Sequence, residues 1–375
     1  MSFSEIKQAV IINLKNIPGP TTKRKIVVIE SDDYGGIRMP SIEALDILKK
    51  AGISNLGSRY NQLDTLEDKD DLDQLFETLR SVRDKNDQPA VVSPFVNVAN
   101  PCFDKIKAAG FRQYFYEPFT STLQRYGRSD QTMEVWRQGM SEGIFCPEFH
   151  GREHISVEPW LEQLQLGNHQ IIAAFEQGFV GAGNIKGIPN YAKEFRPEFY
   201  FTRNDQKNFL HTSIIEGVEL FKQLFGYKPH VFAPGNSVFH PDFDDTVYKA
   251  GVPFMCVAHK NPCPGPGGKL TYKSFSFKQK IKDDQLSFYI RNCAFEPSDK
   301  SYTGIGLTLK QIEAAFRWHK PAIISTHRVN FTGGLNIENR KKGLKELSHL
   351  LNAIVQKWPD AEFMSTGNML QQMEN

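Results

Sequence analysis

The chain has 375 residues, 40% of them hydrophobic and 23% charged, which allows a sizeable core and excludes a disordered polymer. A formal net charge of +2 excludes the strong global field that draws a protein to nucleic acid or to an anionic membrane surface. No window approaches the length of a membrane span.

Residues 1–20 hold only a short apolar stretch, Ala9 to Leu14, without the charged-then-apolar-then-small layout of a secretion signal. Five scattered cysteines (Cys102, Cys146, Cys256, Cys263 and Cys293) form no CxxC pair. That usage predicts reduced thiols and a cytoplasmic location. The first strand is Lys25 to Glu30, with Ile26, Val27, Val28 and Ile29 in a row. Ser31, Asp32, Asp33, Tyr34 and two glycines follow it directly.

Ser41 to Gly52 reads as a helix N-capped by Ser41, and Asp70 to Asn86 as a second. Pro89 to Pro101 and "GIFCPEFH", ending at His150, read as strands. Helices are predicted over Glu158 to Gly178 and Ser213 to Tyr227, then strand-like "HVFAPGN" from His230 and a short helix from Pro241 to Ala250. "VPFMCVA" and "LSFYIRNC" are strand-like, Leu307 to His319 helical, and "PAIISTH" a further strand. A long helix from Arg340 to Trp358 precedes the strand-like "AEFMSTGN". Strands interleaved with helices imply parallel βαβ units. Their number and the lack of a linker point to a single α/β domain, residues 1–375, folded as a distorted (β/α) barrel of about seven strands. Three irregular stretches (about 114–143, 184–208 and 260–285) exceed the usual βα loop and are expected to be insertions shaping a binding face. "KNPCPGPGGK" within the last is too rich in Pro and Gly for regular structure.

Parallel barrels place their chemistry at the C-terminal ends of strands. The polar residues there are Asp32 and Asp33, Asn97 and Asn100, His150 and His154, Asn236, Arg291 and Asn292, and His327 and Arg328. Adjacent carboxylates repel and lose solvation unless a cation sits beside them. "HGREH" supplies two imidazoles at HxxxH spacing, and one aspartate with two histidines is a three-ligand set with open positions, suited to catalysis. The other aspartate is then free to act as a base.

Strand-SDD, then HxxxH, then a strand ending in "STH" resembles the polysaccharide deacetylases, the NodB-homology carbohydrate esterases. "VFAPGNSVFHPDFDDTVYKAGV" resembles that family's third motif with its helix, so the likeness runs from about Lys25 to the C-terminus. The resemblance implies Asp32 as catalytic base, Asp33, His150 and His154 as metal ligands, and His327 as general acid. It also implies hydrolysis of an N-acetyl, less often an O-acetyl, group on a carbohydrate or small acetylated substrate. The ion implied by two imidazoles is zinc, with cobalt or nickel fitting the same donors.

This chain departs from the family pattern. Glu30 and Ser31 stand where Thr-Phe is usual, Gly151 where Ser or Thr is preferred, and Ala233 where an arginine normally orients the base. Arg291 and Arg328 are the candidates to replace that arginine, and Asn236 is a further candidate for support. The alternatives are a non-catalytic carbohydrate-binding relative and a metallohydrolase of a non-sugar amide.

Plainer readings compete at each position. Asp32 and Asp33 before two glycines suit a turn and a helix cap. His150 and His154 suit hydrogen-bonded surface histidines, and His327 a satisfied buried one. "HGREH" also fits the HxxEH peptidase pattern with Glu153 as base. That motif needs a helix, which Pro147 and Gly151 oppose, and a downstream glutamate, and none occurs between Glu219 and Glu296. His169, His319 and His349 fall in predicted helices and are expected to be surface or packing residues; His211, His230 and His240 stay open, His240 being the one expected to border the site. Cys256, Trp136, Trp160, Trp318 and Trp358 are expected to pack, whereas Tyr34 and the aromatics of Arg112 to Phe119 suit either the core or a sugar ring.

Overall fold

The computed structural model describes residues 3–54, 56–127, 129–181, 185, 187–276 and 285–374. Parts of the three expected insertions, residues 128, 184, 186 and 277–284, lie outside the described residues. Nine strands form the main sheet: Lys25–Tyr34 (β1), Val92–Val96 (β2), Glu148–Phe149 (β3), Val231–Phe232 (β4), Phe254–Cys256 (β5), Ser287–Tyr289 (β6), Cys293–Ala294 (β7), Ala322–His327 (β8) and Ala361–Phe363 (β9). Their order is β6-β5-β4-β3-β2-β1-β8-β7, with β9 on the start of β1, and every pairing is parallel. Ile26 to Ile29 are almost fully buried, as a run without polar alternation requires of a strand covered on both faces.

The sheet is curled into a distorted (β/α) barrel. β6 and β1 stand five strand steps apart. In a flat sheet that spacing is about 24 Å. Yet the Tyr289 hydroxyl of β6 donates to the Glu30 carboxylate of β1 at 2.7 Å. Only residues 290–292 separate β6 from β7, and these two strands form opposite ends of the order. They are one interrupted strand: its first half pairs with β5 and its second with β8. Counted so, and with β9 set aside, the ring has seven strand positions.

The helices wrap this ring. Ser41 caps Ile42–Lys50 by accepting from the Ala44 N–H, and Lys69–Arg80, Lys207–Phe225, Gly306–Arg317 and Ile337–Lys357 cover further expected positions. The stretch from Glu158 to Gly178 is two helices, Val157–Gln165 and His169–Glu176, because Gly167 turns with φ +70° and Asn168 caps the second. A smaller core, with Ile37, Leu48, Trp160 and Phe175, fills the layer between these helices and Ile42–Lys50.

Two expectations of irregularity fail. The 114–143 stretch is largely helical, Phe119–Arg125 and Ser129–Ser141, because it drives Phe119, Leu123 and Trp136 into the main core. "KNPCP" is the first strand of a hairpin, Lys260–Pro264 against Leu270–Ser274. Pro262 fits there because its carbonyl accepts from the Phe239 N–H, so its peptide groups face away from the hairpin partner, where no donor is needed. The first helix, Phe3–Leu14, and the last, Thr366–Glu374, have no strong sequence signal. No helix among the described residues is long and apolar enough to cross a membrane.

Candidate active site

Neighbouring residues on a strand point to opposite faces, and β1 evades this with one extra residue. Ser31 pairs with Pro94 and Tyr34 with Val96, so three steps on β1 match two on β2. The bulge holds Asp33 at φ +77°, a left-handed conformation that Asp tolerates better than most residues. Asp32 and Asp33 thereby both line one cleft of about 770 Å3 at the C-terminal ends of the strands. Gly35 completes the turn at φ +71°, where a Cβ would meet the Asn97 carbonyl at 2.5 Å.

His150, directly after β3, and His154, beyond the following turn, close on Asp33. Asp33 Oδ1 lies 3.6 Å from His150 Nε2 and 3.4 Å from His154 Nε2. Each Nδ1 meets a backbone carbonyl, Ala233 O at 2.6 Å and Arg196 O at 2.5 Å. A ring nitrogen facing a carbonyl carries a proton, so each ring turns its Nε2 toward Asp33. Burial drives His154 down to about 3, outweighing the pull of Asp33, so the ring is neutral. Asp33 Oδ2 is buried without a hydrogen-bond donor. The three side chains offer ligand atoms within 4.8 Å of one another. Two imidazoles and a carboxylate with one oxygen left without a donor fit a divalent cation.

Two glycines shape this corner. Gly151 has φ +111°, and a Cβ there would lie 2.2 Å from Glu198 Oε2. The buried Glu198 carboxyl, its pKa raised well above the usual range by burial and then by Glu153, thus occupies the space of a side chain at 151. A Cβ at Gly235 would lie 2.7 Å from the His154 ring.

Asp32 faces a guanidinium. Arg291, beside the break between β6 and β7, donates from Nη1 to Asp32 Oδ2 at 2.5 Å and from Nη2 to Oδ1 at 2.7 Å. Its Nε donates to Glu30 at 2.6 Å, and Glu30 is fixed in turn by Tyr289 and Thr366. Burial acts to raise the Asp32 pKa, but the Arg291 charge, with His150 and His327, holds it below the usual carboxylate range. Glu30 thus anchors a guanidinium that reaches Asp32 from another strand. Arg328 does not share this place. Fully buried, it bonds Asp64 and Glu67, because those carboxylates lie beneath the β8 end and leave its charge nothing to seek at Asp32.

His327 ends β8 opposite Asp32, its Nε2 3.9 Å from Asp32 Oδ2. Its Nδ1 meets Glu296 Oε1 at 2.6 Å, and Arg59 and Asn330 hold the Glu296 carboxylate. Burial disfavours the imidazolium, but Glu296, with Asp32 and Asp33, raises His327 to about 9.

Other strand-end residues are structural. Asn97 donates to the His150 carbonyl, Asn100 ties Gly35 to Ile37, and Asn292 bridges Asn16 and Pro321. Asn236 sits exposed on the cleft rim. Tyr34 packs against Trp136 and Phe145, and Phe119 against Trp136, away from the cleft. Tyr114 and Tyr116 flank Arg152 instead. His240 binds the Asp242 N–H outside the cleft, and His259, which no motif marks, lines it. Arg38, Tyr60, Arg196 and Glu296 also escape a reading of strand ends because they follow turns or irregular segments. Only Glu296, two residues past β7, carries a positional hint.

No family model and no curated protein matches this sequence. Among solved structures, the chain resembles Puue allantoinase at 10% identity, covering 94% of this chain and 93% of that one, with a TM-score of 0.48. It resembles a probable polysaccharide deacetylase from Pseudomonas aeruginosa PAO1 at 10% identity, covering 93% and 91%, with a TM-score of 0.46. A 4-alpha-glucanotransferase from Thermococcus litoralis matches at 10% identity and a TM-score of 0.45; 93% of this chain spans 40% of that one. At such values the chemistry rests on the side chains themselves.

Proposed function

We propose that this cleft is a metal-dependent hydrolase site that removes an acetyl group, N-acetyl in preference to O-acetyl, from a carbohydrate or related compound. The observation that carries the reading is the pairing of Asp32, held ionised by Arg291, with His327, held protonated by Glu296, across the Asp33–His150–His154 set. Asp33, His150 and His154 would hold a divalent ion, zinc being the best match to two imidazoles, with cobalt or nickel suited to the same donors. When bound, such an ion polarises an acyl carbonyl and makes water more acidic.

The chain's own groups handle the protons. Asp32 accepts a proton from the attacking water as oxygen bonds to the acyl carbon. Arg291 keeps that carboxylate ionised and oriented without using all its lone pairs. As the carbon–nitrogen bond breaks, His327 gives its Nε2 proton to the leaving amine, and Glu296 steadies the imidazolium until then. Acetate and a free amine leave.

Acetate release from a panel of acetylated sugars and non-sugar amides, with metal content measured in parallel, tests this reading. Release from sugars supports it, and release from non-sugar amides alone favours the amidohydrolase alternative. Sugar binding with no release from any member indicates a non-catalytic carbohydrate-binding protein.

A further inference from the structure

Two guanidinium groups are buried together in the cleft wall next to the His154 turn. Arg38 is 8% exposed and Arg196 4%, and both line the cleft. Arg196 donates from Nη1 to the carbonyl of Ile37, the residue preceding Arg38, so the two side chains are neighbours. Arg196 Nε and Nη2 are buried with no acceptor. Among the described residues no carboxylate comes within ion-pair distance of Arg196. Arg38 lies over the Tyr60 ring at 5.0 Å, and the carboxylates near it are distant, Asp33 Oδ2 at 3.8 Å and Asp64 Oδ2 at 3.7 Å. Asp64 is already engaged by Arg328, and Glu194, the other acid nearby, is held by Asn61.

A buried cation with unmade hydrogen bonds is costly, and a second cation beside it adds repulsion. A planar guanidinium with two free donors is the shape that matches a carboxylate or phosphate oxygen pair. The Arg196 carbonyl fixes His154 Nδ1, which places this fork next to the candidate metal ligands.

We propose that Arg196, with Arg38 beside it, binds an anionic group of the substrate, so that the acyl compound taken by this cleft is an acidic sugar or sugar phosphate, not a neutral one. This rests on the hydrolase reading above for its link to catalysis. The anion and the acyl group then belong to one small molecule or to adjoining rings.

The test is calorimetric titration of inorganic phosphate, glucuronate and glucose into the purified metal-loaded protein and into Arg196→Gln, with metal content and circular dichroism of both. Phosphate or glucuronate should bind and glucose should not, and Arg196→Gln should weaken the anion about 10-fold or more. Arg196→Lys, which keeps the charge but loses the fork, should fall between the two and serves if the glutamine variant misfolds. Tighter phosphate than glucuronate assigns a phosphorylated substrate, and the reverse a uronate. Equal anion affinity in wild type and variants overturns the proposal, as does no anion binding to the wild type. Protein that takes up no metal yet binds anions through Arg196 keeps the anion site and removes the hydrolase reading. Acetate release from neutral and acidic sugars at equal rates in wild type and Arg196→Gln does the opposite.

Discussion

Arg291 and Asp32 meet through two parallel hydrogen bonds of 2.5 and 2.7 Å although they lie 259 positions apart in the chain. The same guanidinium serves Glu30, so one cation compensates two buried carboxylates. Arg291→Met should therefore leave both without the cation that bonds them, Glu30 keeping only Tyr289 and Thr366, and destabilise the protein by about 3–5 kcal/mol, read by urea unfolding. Arg291→Lys should cost less in stability but lose the paired geometry at Asp32 and most activity. An Arg291→Met protein of wild-type stability would mean that the pair contributes nothing.

Asp32→Asn should abolish turnover while leaving metal and fold intact. The amide has nearly the volume of the carboxylate but accepts no proton, and general-base catalysis typically contributes ~10²–10⁴-fold. If Asp32 served only the turn, Asn would replace it with little effect, and acetate release would persist. Loss of metal together with fold would instead exchange the roles of the two aspartates.

Asp33→Ala and His150→Ala should each lower bound metal from about one ion per chain to a small fraction, because two remaining ligands hold an ion poorly. Stoichiometric metal in both variants, measured by elemental analysis, would remove the site as described.

Glu296→Gln should move the alkaline limb of kcat/KM to lower pH by about 1–2 units. His327 works in its protonated form, so activity is present below its pKa and lost as pH rises through it. Burial alone lowers that pKa, and Glu296 is the main group raising it to about 9. A bound cation lowers the limb in both proteins alike, so the difference between them is the readout. Coincident limbs would show that Glu296 does not control the acid.

Gly151→Ala should destabilise the protein by about 2 kcal/mol or more, combining a left-handed backbone with a clash against Glu198. Adding Glu198→Ala makes room for the new methyl group, and the double variant should recover the clash but not the backbone strain. Strict additivity of the two substitutions in thermal unfolding would show that they do not share this space.

Much of the architecture was legible because buried parallel strands leave unbroken apolar runs such as Ile26 to Ile29, with polar residues at their ends. The bringing together of Asp33, His150 and His154 could be anticipated from such ends, since each closes or follows a strand. What could not be read is the tertiary company they keep. Glu296 reaches His327 from beyond a two-residue strand, and Arg196 from a loop of short 3-10 turns, where spacing carries no period. The helix at Phe119 was hidden by its seven-residue length, and Gly127 separates it from the thirteen-residue helix at Ser129, which packs through Trp136. Asn97 and Asn100 show the converse error, polar strand ends that hold backbone in place.

The interrupted strand of residues 287–294 also governs when the protein can become what it is. During synthesis β1 to β5 precede this segment, which pairs with β5 and with the later β8 to bring the two open sheet edges together. Until it arrives, Glu30 and Asp32 have no cation, and the strands at both edges offer unpaired peptide groups to any neighbour. Contacts this distant in sequence form late and slowly, because the intervening loop must be ordered first. The binding of Asp32 by Arg291 therefore coincides with closure of the ring. A truncated or partly unfolded chain has no graded activity to offer, only sticky edges.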